Sequence, residues 1–139
     1  MPNSPYLRTV FLVSDGTGIT AETFGKSIMA QFDMPVRYVR LPFVDSLEKA
    51  RKAVEQINTV AQNEGVRPIV FTTLVNMDVV HILNAETRAM VMDMFATFVN
   101  PLERELGIKS HHRVGRFSDV AKSQAYRDRM EAINFSLMH

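Results

Sequence analysis

Near its start the chain carries a short apolar run that stops abruptly at a glycine-rich loop. The run, Thr9 to Val13, is β-branched and aromatic, and Ser14-Asp15-Gly16-Thr17-Gly18 follows it directly. A buried parallel strand enters a loop in this way. Beyond the loop, apolar residues recur at helical spacing, namely Ala21, Phe24, Ile28 and Phe32. The chain is therefore predicted to begin with a strand, a loop and a helix that has Thr20 as N-cap and runs to about Gln31.

Strand-like and helical patterns then alternate along the chain. Further strands are predicted at Val36 to Leu41, at Ile69 to Thr73, and at Ala89 to Met92, the last one ending at Asp93. The helices between and after them are predicted from a capping-box-like pair, Asp45 and Glu48, to a C-cap at Gly65, then from Asp78 to about Thr87, and from Phe95 to Leu106 with Gly107 closing it. Pro101 is expected to kink or restart that helix. A final amphipathic stripe consists of Tyr126, Met130, Ile133 and Leu137.

The segment from Met77 to Phe98 is ambiguous, because it can also be interpreted as one long apolar helix. We favour the division into helix, strand and helix. The alternation then implies right-handed βαβ crossovers and an α/β fold. We predict an open, mostly parallel sheet of at least four strands with helices on both faces, flavodoxin-like or Rossmann-like.

Composition limits the function classes. The 139 residues, 46% apolar and 22% charged, fit a single globular domain over 1–139. A net charge of +1 excludes the basic excess of a dedicated nucleic-acid binder, and the lack of cysteine excludes thiol nucleophiles and zinc-thiolate sites. No apolar run approaches the length of a membrane span, and Met1 to Arg8 lacks the apolar stretch of a signal peptide. We expect a cytoplasmic protein without a metal site.

Ligands of open parallel sheets bind at the carboxyl ends of the strands. That edge is predicted to hold Ser14 and Asp15, Phe43 to Asp45, Thr72 and Thr73, and Asp93. The stretch from Gly16 to Ala21 matches G-x-G-x-x-A between a strand and a helix, which is the setting of a phosphate cradle. A plain tight turn that needs glycine for positive φ is the open alternative. A dinucleotide site is disfavoured, since Arg37 and Arg40 stand where an acid is needed for the ribose.

Other motifs carry weaker signals. Gly25-Lys26-Ser27 ends like a Walker A loop but lies inside the first helix, so we interpret Lys26 as a solvated helix residue. His111-His112-Arg113 with Arg116 is either a loop that contacts phosphate or an acidic partner, or a solvated loop. His81 is interpreted as a packed histidine. Met90, Met92 and Met94 are interpreted as core filling.

Three stretches together carry a family resemblance. They are Phe11-Leu12-Val13-Ser14-Asp15-Gly16-Thr17-Gly18-Ile19-Thr20-Ala21-Glu22, Leu41-Pro42-Phe43-Val44, and Gly65-Val66-Arg67-Pro68-Ile69-Val70-Phe71. From about Arg8 to His139, the sequence resembles the amino-terminal half of the phosphoenolpyruvate synthase regulatory proteins, a family that includes the pyruvate, orthophosphate dikinase regulators. The resemblance also supports the division of the segment from Met77 to Phe98.

The resemblance implies a bifunctional parent protein. One activity is an ADP-dependent serine/threonine kinase that inactivates its target by phosphorylating a threonine near the target's catalytic histidine. The other is a phosphate-dependent pyrophosphorylase that reverses the modification. The implied partners are phosphoenolpyruvate synthase or a related dikinase, and a homo-oligomer is left open.

The family's nucleotide P-loop, of the form G-x-S-R-x-x-K-T, lies in a carboxyl-terminal half that we expect to begin beyond His139. We therefore expect this chain to be a fragment that is inactive alone and holds neither ADP nor phosphate tightly.

The glycine loop is the predicted site. Asp15 is the predicted catalytic residue, as base or aligner of a hydroxyl. Phosphate or substrate contacts are predicted for Ser14, Gly16, Thr17, Gly18, Thr20 and Arg113. Because Asp15 would repel a dianion, we expect Asp15 to be protonated, turned away from the anion, or neutralised by Arg113 or Arg116. The alternative is a non-catalytic module that docks the target enzyme while the other half performs the chemistry.

Overall fold

The structure, a computed structural model, describes residues 8–110. Four strands alternate with helices: β1 (Arg8–Ser14), α1 (Ile19–Met29), β2 (Val36–Leu41), α2 (Leu47–Glu64), β3 (Ile69–Thr73), α3 (Met77–Glu86) and β4 (Met90–Asp93). A π-helical turn (Phe95–Val99) and α4 (Asn100–Leu106) follow. The division of the segment from Met77 to Phe98 into helix, strand and helix is confirmed.

The sheet has the order β2-β1-β3-β4 and is parallel throughout. The predicted α/β open sheet of at least four strands is therefore confirmed. Because the chain leaves β1 first to one side and then to the other, the strand order reverses between β1 and β3. Such a reversal is the place at which open α/β sheets bind ligands.

β1 is the centre of the core, with Val10 to Val13 fully buried between helices on both faces. On one face, Phe11 and Val13 pack against α2 and α3. On the other, Val10 and Leu12 pack with residues of α1. The prediction of helices on both faces of the sheet is thus confirmed.

The start of α1 differs from the prediction. Gly18, not Thr20, is the N-cap, with φ of 89° and no capping side chain. Only glycine enters that left-handed conformation at little cost, so the helix begins at Ile19, immediately after the loop. The helix also ends at Met29 rather than near Gln31, and Phe32 is exposed. Of the predicted stripe, Ala21 is buried and Phe24 packs partly buried against the core, whereas Met29, which was not predicted, is the buried residue near the helix end.

The other helix ends are mostly as predicted. Gly65 and Gly107 are left-handed C-caps, as expected. The N-cap of α2 is Ser46, whose Oγ accepts from Lys49 N at 3.2 Å, so the predicted capping role of Asp45 and Glu48 is wrong. Pro101 lies in the first turn of α4, where its missing N–H costs nothing, which agrees with a restarted helix.

Two interpretations of single residues need correction. His81 is exposed on α3 rather than packed, because the buried face of that helix consists of Val79, Val80, Ile82 and Leu83. Met92 packs against the α1 side of the core, but Met90 is 45% exposed on the edge strand. Core filling therefore describes Met92 and not Met90. The stripe from Tyr126 to Leu137 lies outside the described residues.

Gly25, the first residue of the Gly25-Lys26-Ser27 tripeptide, has a packing role in the structure. It is buried where α1 crosses the sheet, and a Cβ there would lie 2.7 Å from Leu12 Cδ2 and 3.0 Å from Phe71 Cδ2. Both neighbours are buried core residues. Glycine at this position therefore sets how closely α1 approaches β1 and β3.

We predict that Gly25→Ala destabilises the chain by about 1–2 kcal/mol, because overpacking costs more than the gain in helix propensity. The measurement is urea unfolding of the 139-residue chain. Ser27→Ala, an exposed change in the same helix, is the control and should shift the midpoint little. A Gly25→Ala variant as stable as wild type would contradict the close packing of α1.

Candidate functional site

The glycine loop leaves β1 at Ser14 and is tied to the loop that follows β2. Ser14 is fully buried, and its Oγ accepts from Gly16 N at 3.0 Å. Ser14 O accepts from Val44 N and Gly16 O accepts from Phe43 N, both at 2.8 Å. These bonds hold the loop in one position across the carboxyl edge of the sheet.

Asp15 ties the same loop to the other side of the strand reversal. Its Oδ2 accepts from Val75 N, just after β3, at 3.0 Å. Within residues 8–110 the carboxylate has no other hydrogen-bond or ion-pair partner. A carboxylate can accept at both oxygens, so the half-buried Asp15 keeps acceptor capacity at Oδ1 while Oδ2 fixes its orientation.

Beyond the loop, the first turn of α1 presents its amides to the same edge. Helix geometry leaves these first N–H groups without intrahelical partners and places the positive end of the helix dipole there. Thr17, Ile19 and Thr20 are exposed around them. The arrangement suits an oxyanion.

The two open interpretations of the glycines apply to different residues. Gly18 needs its left-handed φ, so the tight-turn interpretation explains it. Gly16 does not have a positive φ, and a Cβ there would meet only Ser14 Oγ, at 3.9 Å. A turn alone therefore does not require glycine at position 16.

Arg40 lies beside the loop, and the sequence prediction of the site missed it. It is on β2 opposite Leu12, a residue of the α1 face. A Cβ on Gly18 would lie 2.9 Å from Arg40 Cδ, so the arginine stem covers Gly18 directly. Arg40 Nη1 donates to Glu22 Oε1 at 3.2 Å. The sequence signal for Arg40 is its position near the carboxyl end of the second predicted strand.

Glu22 is shared by two cations. Lys26 Nζ lies 3.1 Å from Glu22 Oε2, while Arg40 takes Oε1. Lys26 also lies over the Tyr38 ring, 5.2 Å from its centroid. Lys26 is 48% exposed and belongs to the helix surface, in agreement with its interpretation as a solvated residue.

Two threonines end β3 beneath this edge, Thr72 and Thr73, and both are buried. Within residues 8–110, neither hydroxyl has a hydrogen-bond partner. Asp93 ends β4 at the same edge, as predicted, and its side chain accepts from Phe95 N at 3.0 Å at the start of the π-helical turn.

The structure thus gathers six of the predicted residues in one loop and helix start: Ser14, Asp15, Gly16, Thr17, Gly18 and Thr20. Arg113 and Arg116 lie outside the described residues, so their predicted contacts stay predictions. The cluster offers a carboxylate, free amides, hydroxyls and one arginine. No group of acidic or histidine side chains within residues 8–110 could hold a metal ion. The described helices are also too short or too polar to cross a membrane.

Comparison with known proteins gives one consistent result. The family model described as kinase/pyrophosphorylase matches residues 10–139. Relatives named phosphoenolpyruvate synthase regulatory protein are 64% identical in Polaromonas naphthalenivorans and 66% identical in Verminephrobacter eiseniae, each over 132 residues. Each alignment covers 95% of this chain and 48% of the relative. The chain therefore spans about half the length of the curated relatives it matches.

We predict that Gly18→Ala lowers the free energy of unfolding by about 1–2 kcal/mol, because alanine resists a left-handed φ and its Cβ displaces Arg40. Gly16→Ala is the matched control and should be neutral or slightly stabilising. Urea unfolding of both variants checks this. Equal stabilities would show that the loop geometry does not depend on Gly18.

Proposed function

The chain belongs to the kinase/pyrophosphorylase family, and we propose that it forms the amino-terminal half of a bifunctional regulator of phosphoenolpyruvate synthase. One activity is an ADP-dependent serine/threonine kinase that modifies a threonine of the target. The other is a phosphate-dependent pyrophosphorylase that removes the modification. The observation that carries the proposal is the family match over residues 10–139. The names of the relatives support the choice of target.

In the proposed kinase direction, the threonine hydroxyl attacks the β-phosphorus of ADP, and AMP leaves. In the proposed pyrophosphorylase reaction, an oxygen of inorganic phosphate attacks the phosphothreonine phosphorus and forms pyrophosphate. The threonine oxygen is the leaving group, and it takes up a proton to restore the hydroxyl. Both reactions need in-line alignment of the attacking oxygen, the phosphorus and the leaving oxygen, and in both of them the threonine oxygen is one of the two oxygens. The glycine-loop edge offers groups suited to each.

Asp15 is proposed to act on the hydroxyl rather than on the phosphate. A carboxylate repels a phosphate dianion, but it can accept the proton of an attacking hydroxyl or align it. The bond from Val75 N supports this role, because it orients the carboxylate without a counter-cation. The neighbouring amides of the loop and of the first turn of α1 are the proposed phosphoryl contacts, together with Ser14, Thr17 and Thr20.

The nucleotide is assigned to the other half of the parent protein, whose P-loop would supply the ADP site. Within residues 8–110 the glycine loop lacks the lysine of a P-loop, since Lys26 is engaged with Glu22 on the surface of α1. We therefore propose that this half binds the protein substrate and the inorganic phosphate that reacts with it, while the other half binds the nucleotide.

We predict that the isolated 139-residue chain binds ADP or ATP weakly or not at all. Isothermal titration calorimetry of the chain with each nucleotide measures this. Micromolar affinity, about 8 kcal/mol of binding free energy, at a site mapped to Gly16 through Ala21 would contradict the assignment of the nucleotide to the other half.

We also predict that Asp15→Asn in the full-length parent lowers the threonine kinase rate by about 100-fold or more while leaving nucleotide affinity unchanged. Asparagine keeps an acceptor for Val75 N, so the loop should stay in place. The matched control is Asp33→Asn, an exposed aspartate between α1 and β2 at the opposite edge of the sheet.

The readout is the rate of target phosphorylation at saturating ADP, with unfolding curves for both variants. A folded Asp15→Asn protein with wild-type kinase and pyrophosphorylase rates would reduce Asp15 to a loop-bracing residue.

A second candidate function is docking of the target enzyme without chemistry. It is favoured by exposed apolar side chains at the end of the described chain: Phe98, Leu102, Leu106 and Ile108. Docking alone predicts that the isolated chain captures the target and that Asp15→Asn leaves every rate unchanged. If the chain is half of an enzyme, adding the other half in trans should restore phosphotransfer to the target. Asp15→Asn in this chain should then abolish that restored activity.

A further inference from the structure

We propose that Arg40 and Thr73 complete an oxyanion site at the start of α1, with inorganic phosphate or a phosphoryl group as its ligand. The inference rests on the proposed function, because it takes the glycine loop as a phosphate-contacting element. It adds two residues from the strands on either side of that loop.

The strand register places the two residues on one face of the sheet. Arg40 of β2 is opposite Leu12 of β1, and Thr73 of β3 is opposite Ser14. Leu12 and Ser14 are two positions apart on β1, so their side chains lie on the same face. That face is the one covered by α1. The arginine, the serine and the threonine therefore lie on the α1 face of three neighbouring strands, near the carboxyl ends of those strands.

Thr73 carries a buried hydroxyl that a polar ligand could satisfy. Its side chain is 1% exposed, and its hydroxyl has no hydrogen-bond partner within residues 8–110. A buried polar group without a partner is unfavourable in a folded protein, and a ligand oxygen would remove that penalty. Adjacent strands are about 4.8 Å apart, so one oxygen between them can contact hydroxyls from both. Thr73 and the neighbouring Ser14 form such a pair.

Arg40 supplies the positive charge that the described loop lacks. A guanidinium has five N–H donors, and the bond to Glu22 Oε1 occupies a minority of them. Its stem lies on Gly18, the N-cap of α1, and its guanidinium contacts Glu22 in the first turn of that helix. Lys26 holds the other oxygen of Glu22, so Glu22 stays paired when Arg40 turns towards an anion. Glu22 thus competes with the ligand for Arg40.

The position of Arg40 also reduces the repulsion that the Asp15 carboxylate is expected to exert on a phosphate anion. The Asp15 carboxylate is bound to Val75 N after β3, whereas Arg40 approaches from β2 on the other side of the loop. The oxyanion would lie between Arg40 and Thr73 at the start of α1, with Asp15 left for a neutral hydroxyl. Charge separation of this kind suits a site that must hold a phosphoryl group and its acceptor together.

The test is titration of the 15N-labelled 139-residue chain with inorganic phosphate at constant ionic strength, following the amide signals of Gly16, Gly18 and Ile19. Wild type should show saturable shifts. Arg40→Gln should weaken phosphate binding by about tenfold or more, as expected for a lost charge-assisted bond. The matched control is Arg37→Gln, three residues earlier on β2, where the side chain donates to Thr9 Oγ1. It should bind as wild type does.

Two further variants separate a binding role from a structural one. Glu22→Gln should raise phosphate affinity by about threefold, because it frees Arg40 from an exposed ion pair that contributes little to stability. Thr73→Val should weaken phosphate binding but leave urea stability equal or higher, since the buried hydroxyl has no partner to lose. A purely structural Arg40 predicts no gain in Glu22→Gln.

The inference is overturned if wild type gives no saturable shift at the loop, or if Arg40→Gln or Thr73→Val binds phosphate as tightly as wild type. These results are distinguishable from failure of the proposed function. Absent phosphate binding together with kinase activity that Asp15→Asn abolishes would overturn this inference alone. Intact phosphate binding with Asp15→Asn kinase rates unchanged would overturn the proposed role of Asp15 alone.

Discussion

The parallel pairing of β1 with β2 on one side and β3 on the other determines where every candidate group lies. β1 is buried on both faces, so a one-residue slip of its register would exchange the side chains that pack against α1 with those that pack against α2 and α3. That register brings the ends of three strands to one edge, and the loop hydrogen bonds from Val44, Phe43 and Val75 then hold the glycine loop there. The candidate site is therefore a consequence of core packing, and a change that loosens β1 would move all of its parts.

The Asp15 carboxylate and the Arg40 guanidinium belong to opposite sides of the glycine loop. Asp15 is oriented by a backbone amide on the β3 side, while Arg40 extends over Gly18 from the β2 side. Glu22 takes up two cations on the surface of α1. A neutral hydroxyl and a phosphoryl group have opposite electrostatic needs, and the two sides of the loop match them. This match is the physical basis for proposing an active half-site rather than a turn alone.

Much of the fold could be predicted because it depends on local patterns. The apolar run before Ser14 predicts the central strand, and the C-caps Gly65 and Gly107 were identified because left-handed positions favour glycine. The start of α1 was misplaced because Thr20 is a good capping type, whereas the left-handed Gly18 ends the loop earlier. Asp45 and Ser46 are both good N-cap residue types, and only the backbone geometry shows that Ser46 is the N-cap of α2.

Only the part of the candidate site that is contiguous in sequence could be predicted. The residues from Ser14 to Thr20 form one continuous stretch, so the glycine motif identifies all of them. Arg40 and Thr73 join that stretch through strand pairing between residues far apart in sequence, and their shared face follows only from the register. The exposed position of His81 likewise follows from which side of α3 meets α2, a tertiary contact that helical spacing leaves undetermined.

The most direct test of the central claim is a crystal structure of the full-length parent with a phosphothreonine peptide of its target bound. The account predicts phosphoryl oxygens about 3 Å from the first amides of α1, with the threonine oxygen within hydrogen-bond reach of Asp15. A peptide bound productively at the P-loop, with the glycine loop remote from its phosphoryl group, would contradict the account and leave Ser14 to Thr20 as a structural turn.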